Sequence, residues 1–333
     1  MKSRTDTSSA LSLTACRLCP RNCGINRLAG QTGICGAGGD VQVSKVMLHR
    51  WEEPCISGYI GEKDPRGSGA VFFAHCSLGC LYCQNRDISR RDSAAGRTMS
   101  ADRLAEVFLE LQEKGAYNLN LVSPTHYAAR IRDALATAKQ NGLTLPVVWN
   151  TGGYESAAVL EALDGLIDIY LTDFKYADPA LAKTLSHAED YPDRAAEVLA
   201  VMVRQTGPVQ FDGNGMLRRG VILRHLCLPG QRKDSMAVLQ RAASVINPAD
   251  VRLSLMRQYT PDFLSEYLAA CPTEGIPKSL LRRVTEFEYQ SVLDEALRLG
   301  FDGYTQEKES ALRQYTPDFL EKHGDSEKYE VSK

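Results

Sequence analysis

Cysteine is the residue type that carries chemistry in this chain, and its spacing says which chemistry. Cys76, Cys80 and Cys83 stand at i, i+4 and i+7 on the stretch Cys76-Ser-Leu-Gly-Cys-Leu-Tyr-Cys83, just behind the apolar run Ala70–Ala74. Three thiolates so placed can each hold one iron of a cubane [4Fe–4S] cluster, which takes four cysteines when saturated. The fourth iron is then open to something that is not protein. The competing assignment is a structural zinc loop, but such zinc sites are closed by four ligands. His75 is the nearest candidate fourth ligand, and a residue adjacent to Cys76 is poorly placed to complete a tetrahedron.

A second set lies upstream. Cys16, Cys19, Cys23 and Cys35 give C-x2-C-x3-C-x11-C in a Gly-rich segment, with Pro20 among them. Four thiolates fit either zinc or an auxiliary iron–sulfur centre, and the spacing leaves that choice open. Zinc would staple an extension too small to fold on its own core; an auxiliary cluster would relay electrons or bind substrate. Cys55, Cys227 and Cys271 are isolated, so burial in the core is their default.

The elements that must position these residues follow from apolar periodicity. Residues 1 to about 13 are polar, and residues 14–69 are glycine-rich with little helical period, which predicts a metal-stapled, loop-rich extension. From residue 70, short apolar runs recur at Ala70–His75, Asn118–Ser123, Pro146–Asn150, Ile167–Thr172, Val221–Leu226 and Val251–Met256, the pattern of buried parallel strands. Helical stripes fall between them. Leu104, Val107, Phe108 and Leu111 follow an N-cap at Ser100; Ile131, Leu135 and Ala138 end at Gly142. Further stripes are Val159, Leu160 and Leu163; Val198, Val201 and Met202; and Ala237, Val238, Arg241 and Ala242. Strands alternating with helices specify an α/β fold built from crossovers. Periodicity alone does not separate an open sheet from a partial barrel.

In such sheets ligands gather at the carboxyl ends of the strands. The cysteine loop follows the first run. The next strand ends carry Ser123-Pro-Thr-His126, Asn150-Thr-Gly-Gly153, Asp173-Phe-Lys175, Arg224-His225 and Arg257-Gln-Tyr259. Each has a bland explanation as a local ion pair or surface residue, but polar groups at five successive strand ends are the make-up of a ligand pocket.

Composition sets bounds. The chain has 333 residues, 44% hydrophobic and 24% charged, a net charge of −2 and ten cysteines. That balance gives no electrostatic case for nucleic acid or an anionic membrane, and no apolar stretch approaches a membrane span. No secretory signal is expected at Met1–Thr14, so the cysteines read as metal ligands of a cytoplasmic, reducing setting rather than as disulfides. The expected division is residues 1–69 as cysteine-rich extension, 70–305 as the main domain and 306–333 as a polar tail. The octapeptide RQYTPDFL occurs at 257–264 and again at 313–320, a duplication scar or a tail that folds back on the site.

The motifs together resemble the radical S-adenosylmethionine (SAM) enzymes, and most closely the pyruvate formate-lyase activating enzyme-related, PflX-like branch. They are Cys16–Cys23, Arg50-Trp-Glu-Glu-Pro-Cys-Ile-Ser-Gly58, Cys76–Asn85, Ser123–Tyr127, Asp173–Tyr176, Arg224–Gly230 and Gln258–Pro261. The resemblance implies a partial (β/α)6 barrel, a [4Fe–4S] cluster on Cys76, Cys80 and Cys83, and SAM chelated to the open iron. It also implies reductive cleavage of SAM to a 5′-deoxyadenosyl radical. By similarity, Tyr82 lies against the adenine, Asp173 and Lys175 contact the ribose and carboxylate ends, and Arg224 holds the carboxylate. Tyr259 stands where the activases place a histidine. Their Gly-Gly-Glu segment at the second strand is replaced here by Ser123-Pro-Thr, leaving the hydroxyls of Ser123 and Thr125, with Asn150 nearby, to meet the SAM ammonium; His126 could join them or merely start a helix. The implied partners are a low-potential flavodoxin- or ferredoxin-type donor and a glycyl-radical protein. The alternatives are direct modification of a small molecule or peptide, and a non-catalytic iron–sulfur or zinc protein.

Overall fold

The computed structural model describes residues 7–58, 65–92 and 96–306; the second octapeptide copy and the tail lie outside them. The strands are β1 (Val41–His49), β2 (Ser68–Phe73), β3 (Arg97–Met99), β4 (Leu119–Val122), β5 (Val147–Thr151), β6 (Ile169–Asp173), β7 (Gln210–Phe211), β8 (Leu217–Leu226), β9 (Val251–Met256) and β10 (Gly303–Thr305). All six expected runs are strands. Across the sheet the order is β10-β9-β8-β6-β5-β4-β2-β1-β3, with β7 paired to β8. From β2 to β10 every neighbouring pair is parallel. Along these parallel strands sequence order and spatial order coincide, with no reversal of the kind that defines a doubly wound sheet, while β1 and then β3 extend the β2 edge antiparallel. This is the α/β, parallel-strand architecture of a radical SAM partial barrel.

The expected helices form between the strands. Ser100 accepts from the Arg103 N–H and caps Ala101–Glu113, whose buried face includes Leu104, Val107, Phe108 and Leu111. The helices Ala128–Gln140 and Tyr191–Thr206 bury their expected stripes, and Ala157–Ala162 buries Val159 and Leu160 with Leu163 just past its end. Arg232–Val245 buries Val238 and Ala242 but leaves Ala237 and Arg241 partly exposed. Among the described residues, no helix is long and apolar enough to cross a membrane.

Alternation along the strands assigns the two faces. Val71, Leu121, Trp149, Tyr170, Val221 and Leu223 join the large core under the helices. Val148, Ile169, Leu171 and Ile222 face the other way and form a second cluster with Cys55 and Ile56. Those two partners come from the short helix Pro54–Ser57. β1 runs antiparallel to β2 and pairs His49 with Ser68 at the start of β2, so the chain leaves β1 at the amino end of the parallel strands. Pro54–Ser57 then plugs the barrel floor, anchored where Asn118 Nδ2 donates to the Ile56 carbonyl at 2.7 Å.

Two expectations are corrected. The segment expected to be loop-rich contributes β1, a nine-residue strand of the same sheet. Its alternation is broken by a bulge between Val43 and Lys45, which shifts the side-chain period by one and hides the strand from a period-two reading. Cys55 and Cys227 are buried as expected, whereas Cys271 is exposed, because it lies just past the end of the helix Asp262–Ala270.

Candidate active site

The cysteine loop leaves β2 through His75, whose φ of 71° lies in the left-handed region, and β4 ends at Ser123 with φ 59°. Non-glycine residues held there cost strain that the surrounding structure must impose. His126 supplies part of the restraint, its Nε2 bonding the Ala74 carbonyl at 2.7 Å. Burial drives the His126 pKa down to about 3, so the ring is neutral. His75 uses both ring nitrogens, on the Arg90 carbonyl at 3.2 Å and on Gln42 at 2.9 Å. It has no nitrogen left to act as a fourth ligand beside Cys76.

Each thiol of the trio accepts a hydrogen bond from its frame. Leu78 N–H donates to Cys76 Sγ at 3.4 Å, Ser186 Oγ to Cys80 Sγ at 2.9 Å, and Ser89 Oγ to Cys83 Sγ at 3.5 Å. Burial pushes the Cys83 thiol up to about 12. It also raises Cys80, opposed by the nearby Lys175 charge. Ser186 extends the network outward. Its hydroxyl meets Tyr176 at 2.7 Å, and Tyr176 meets Tyr82 at 2.6 Å. The Tyr82 ring packs edge-on to Tyr259 with centroids 5.9 Å apart, while the Tyr259 hydroxyl donates to the Leu280 carbonyl.

A pocket opens beside the loop, lined by Cys76, Ser77, Leu78, Ser123, Thr125, His126, Thr151, Gly152 and Tyr154. Its wall is held by the buried Tyr191. The Tyr191 hydroxyl donates to the carbonyls of Gly152 and Asp173 and accepts the Lys175 N–H. Glycine is required at 153: its φ is 78°, and a Cβ would stand 2.1 Å from the Asp173 carbonyl oxygen.

Further along the inner face, β6 and β8 pair Asp173 with Arg224 in register. Arg224 engages all three guanidinium nitrogens: Nε with Asp173 at 2.8 Å, Nη1 with Glu52 at 3.3 Å and Nη2 with Asn150 Oδ1 at 2.7 Å. Lys175 Nζ pairs with the other Asp173 oxygen. Burial works to raise the Asp173 pKa, but the Arg224 and Lys175 charges outweigh it and hold the carboxyl below its usual range. Asp173, Lys175, Arg224 and Asn150 thus come together.

Glu52 and Glu53, on the segment entering from the floor, had no assigned role in the sequence reading. Glu52 Oε1 accepts from Asn120 at 3.4 Å and Asn150 at 3.2 Å. Burial raises both glutamates, with Arg224 pulling them back down. Glu155 was missed as well. It is 0% exposed, and its Oε1 accepts from Thr125, Thr151 and Trp149. The local signals were faint: an acidic pair between Trp51 and Pro54-Cys-Ile, and a glutamate two positions past a glycine turn.

The upstream cysteines form their own group. Cys16, Cys19 and Cys35 are buried and Cys23 half-buried; burial pushes Cys19 up to about 12, with the other three thiols adding to it. Two arginines tie this group to the pocket. Arg21 donates to the carbonyls of Ser77 at 2.9 Å, Ser186 at 3.0 Å and His187. Arg27 bridges the His126 carbonyl at 2.7 Å and Cys35 Sγ at 3.5 Å. Among the described residues, no three His, Cys, Asp or Glu side chains converge tightly enough for one metal ion.

A family model of the radical SAM superfamily matches residues 71–239, just over half of the 333-residue chain. The chain belongs to the radical SAM superfamily. It is 26% identical over 294 residues to the uncharacterized protein MJ0674 of Methanocaldococcus jannaschii, covering 86% of this chain and 75% of that one. Among solved structures it is similar to Streptococcus suis SuiB bound to precursor peptide SuiA, with TM-score 0.47 and 12% identity over 70% of this chain. The chain spans about half of SuiB, 47% of its length. A radical SAM methyltransferase from Sphaerobacter thermophilus gives TM-score 0.45 and 13% identity, covering 72% of this chain and 66% of that one.

Radical SAM membership implies a [4Fe–4S] cluster and SAM, and the residues present fit both. A cubane spreads its ligands one per iron, so it suits a trio not drawn around one ion. The three thiols already carry hydrogen bonds of the kind that tune such ligands. Cys76, Cys80 and Cys83 would hold the cluster, and Cys76 borders a small pocket on the side of the β4 and β5 ends.

Proposed function

We propose that this radical SAM enzyme belongs to the PflX-like, activase-related branch and removes hydrogen from a glycine of a partner protein. A cluster held by Cys76, Cys80 and Cys83 would supply the electron that cleaves the C5′–S bond of SAM to methionine and a 5′-deoxyadenosyl radical, the species that would take the hydrogen. The observation carrying the radical SAM site is the trio beside a pocket, with its nearest alternative ligand, His75, bonded elsewhere. Arg224, Asp173 and Lys175 would hold the polar end of SAM. A ligand carboxylate reaching Arg224 would compete with Glu52 for Nη1, since every guanidinium nitrogen already has a partner. Tyr82 and Tyr259 supply an aromatic wall for the adenine.

A glycine loop as hydrogen donor is supported by the sealed floor. Pro54–Ser57 fills the amino end of the barrel, so the donor enters from the rim where the pocket opens. The residues' task is then to orient SAM and to keep dioxygen and competing hydrogen donors away from the reacting carbon. We take the electron source to be a flavodoxin- or ferredoxin-type protein of the cytoplasm. The four upstream cysteines are proposed as a second metal centre, zinc or iron–sulfur.

The test is anaerobic reconstitution with iron and sulfide, then dithionite and SAM. Formation of 5′-deoxyadenosine supports the enzyme; protein that binds iron and yields none sinks it. A glycyl-type EPR doublet on a partner protein supports the glycine assignment. Deuterium carried into 5′-deoxyadenosine from a labelled small molecule replaces it.

A further inference from the structure

Cys80 is served differently from its two companions. Ser186 Oγ lies 2.9 Å from Cys80 Sγ, whereas the donors to Cys76 and Cys83 stand at 3.4 Å and 3.5 Å, and the Lys175 charge acts on the same Cys80 sulfur. Ser186 is 0% exposed, and its main chain is pinned. It is the last residue of the helix Pro179–Ser186. Arg21 grips its carbonyl at 3.0 Å, and the carbonyl before it, on Leu185, takes the N–H of the loop residue Leu81 at 2.9 Å. Two further hydroxyls stand in line behind it, Tyr176 at 2.7 Å from Ser186 and Tyr82 at 2.6 Å from Tyr176. A hydroxyl has one proton to give, so fixing one direction fixes the others. A thiolate that holds iron has none. Ser186 therefore donates to Cys80, Tyr176 to Ser186 and Tyr82 to Tyr176.

We infer that Ser186 is a positioning residue which, with Tyr176 and Tyr82 behind it, makes the cluster easier to reduce by aiming a hydroxyl dipole at Cys80. The added electron falls partly on the thiolate ligands, so a donor pointed at a sulfur stabilises the reduced cluster more than the oxidised one. Hydrogen bonds to sulfur are among the levers that set a cluster's potential. Hydroxyls in series polarise one another and strengthen the last bond of the line. No proton leaves its oxygen: one electron arrives from the low-potential protein donor, which is oxidised as the iron is reduced. This role rests on the radical SAM reading of Cys76, Cys80 and Cys83. It brings a residue far outside the cysteine motif into the electron-uptake step.

The experiment is a redox titration of anaerobically reconstituted protein without SAM, following the EPR signal of the reduced cluster against solution potential. Ser186→Ala should move the midpoint to lower potential. At the wild-type midpoint its reduced-to-oxidised ratio should fall about tenfold, the worth of one hydrogen bond to a charged group. Tyr176→Phe leaves Ser186 in place but removes the proton that polarises it, and should lower the same ratio about threefold. It carries the test should Ser186→Ala not assemble a cluster. Ser89→Ala, the matching deletion at Cys83, should stay within about twofold, because its longer contact is the weaker one. A wild-type midpoint in Ser186→Ala or in Tyr176→Phe, or a Ser89→Ala shift as large as that of Ser186→Ala, overturns the relay. Wild-type protein that takes up iron and sulfide yet shows no cluster signal on reduction overturns the radical SAM reading itself.

Discussion

The two cysteine constellations of this chain differ in what surrounds them. The downstream trio is half-buried and borders a pocket, and each sulfur takes a hydrogen bond from a different element. The upstream four are mostly buried and near enough to raise one another's pKa, with an arginine against one of them. Thiols opened toward a cavity are set to share a ligand with something that comes and goes. Thiols turned inward are set to hold their own segment together. The link between the groups is made of backbone carbonyls gripped by Arg21 and Arg27, so the inward-facing set braces the loop that carries the other.

The sharpest break of this comparison is Cys80→Ala against Cys19→Ala. Cys80→Ala should reduce 5′-deoxyadenosine formation to background; Cys19→Ala should lower the melting temperature while leaving some cleavage measurable. Identical losses in both would erase the distinction.

Next in size is Arg224→Met. It strands the buried Glu52 and leaves Asp173 with Lys175 alone, and breaking a buried pair on one side costs about 3–5 kcal/mol, readable as a drop in the urea midpoint. A variant as stable as wild type would mean the carboxylates find other cations.

Arg21→Met cuts the brace. Loss of charge-assisted bonds to the Ser77, Ser186 and His187 carbonyls should cost about 1.5–3 kcal/mol and speed hydrogen exchange in the cluster loop. Exchange changed only in residues 16–35 would show that the groups are independent.

The effect of pH is spread over several groups rather than resting on one contact. Burial lowers His49 and His225 to about 4 and His126 to about 3. The unfolded chain therefore takes up these protons first. The stability they represent is whole above the ordinary value of 6.5 and is lost as pH falls toward 4. Urea midpoints should decline from pH 7 to 5, and His126→Gln should flatten part of that slope. A midpoint constant over that range rules out neutral burial of these rings.

The six parallel strands were legible because both of their faces are buried, so each reads as a continuous apolar run. Asp173 and Lys175 were legible as alternate residues at a strand end, and Arg224 as a charge on an apolar strand. Glu52 was not. Its contact with Arg224 spans 172 positions, and no local period announces a segment that turns under a barrel. Glu155 was hidden for a different reason: its oxygen gathers Thr125, Thr151 and Trp149 from neighbouring strands, a convergence that sequence spacing does not show. β1 was masked by its bulge.

The floor helix Pro54–Ser57 has a consequence for how the molecule is made. It is synthesised before any of the parallel strands it packs against; its neighbours Leu217 and Ile222 of β8 arrive more than 150 residues later, and Tyr304 of β10 later still. Until β8 arrives its apolar side chains have only the β5 and β6 part of their cluster, and Glu52 has its asparagines but not Arg224. Closure of the barrel base thus waits on the far half of the chain, a high-contact-order step of the kind that slows folding, and a chain halted before β8 would expose that surface to chaperones and proteases.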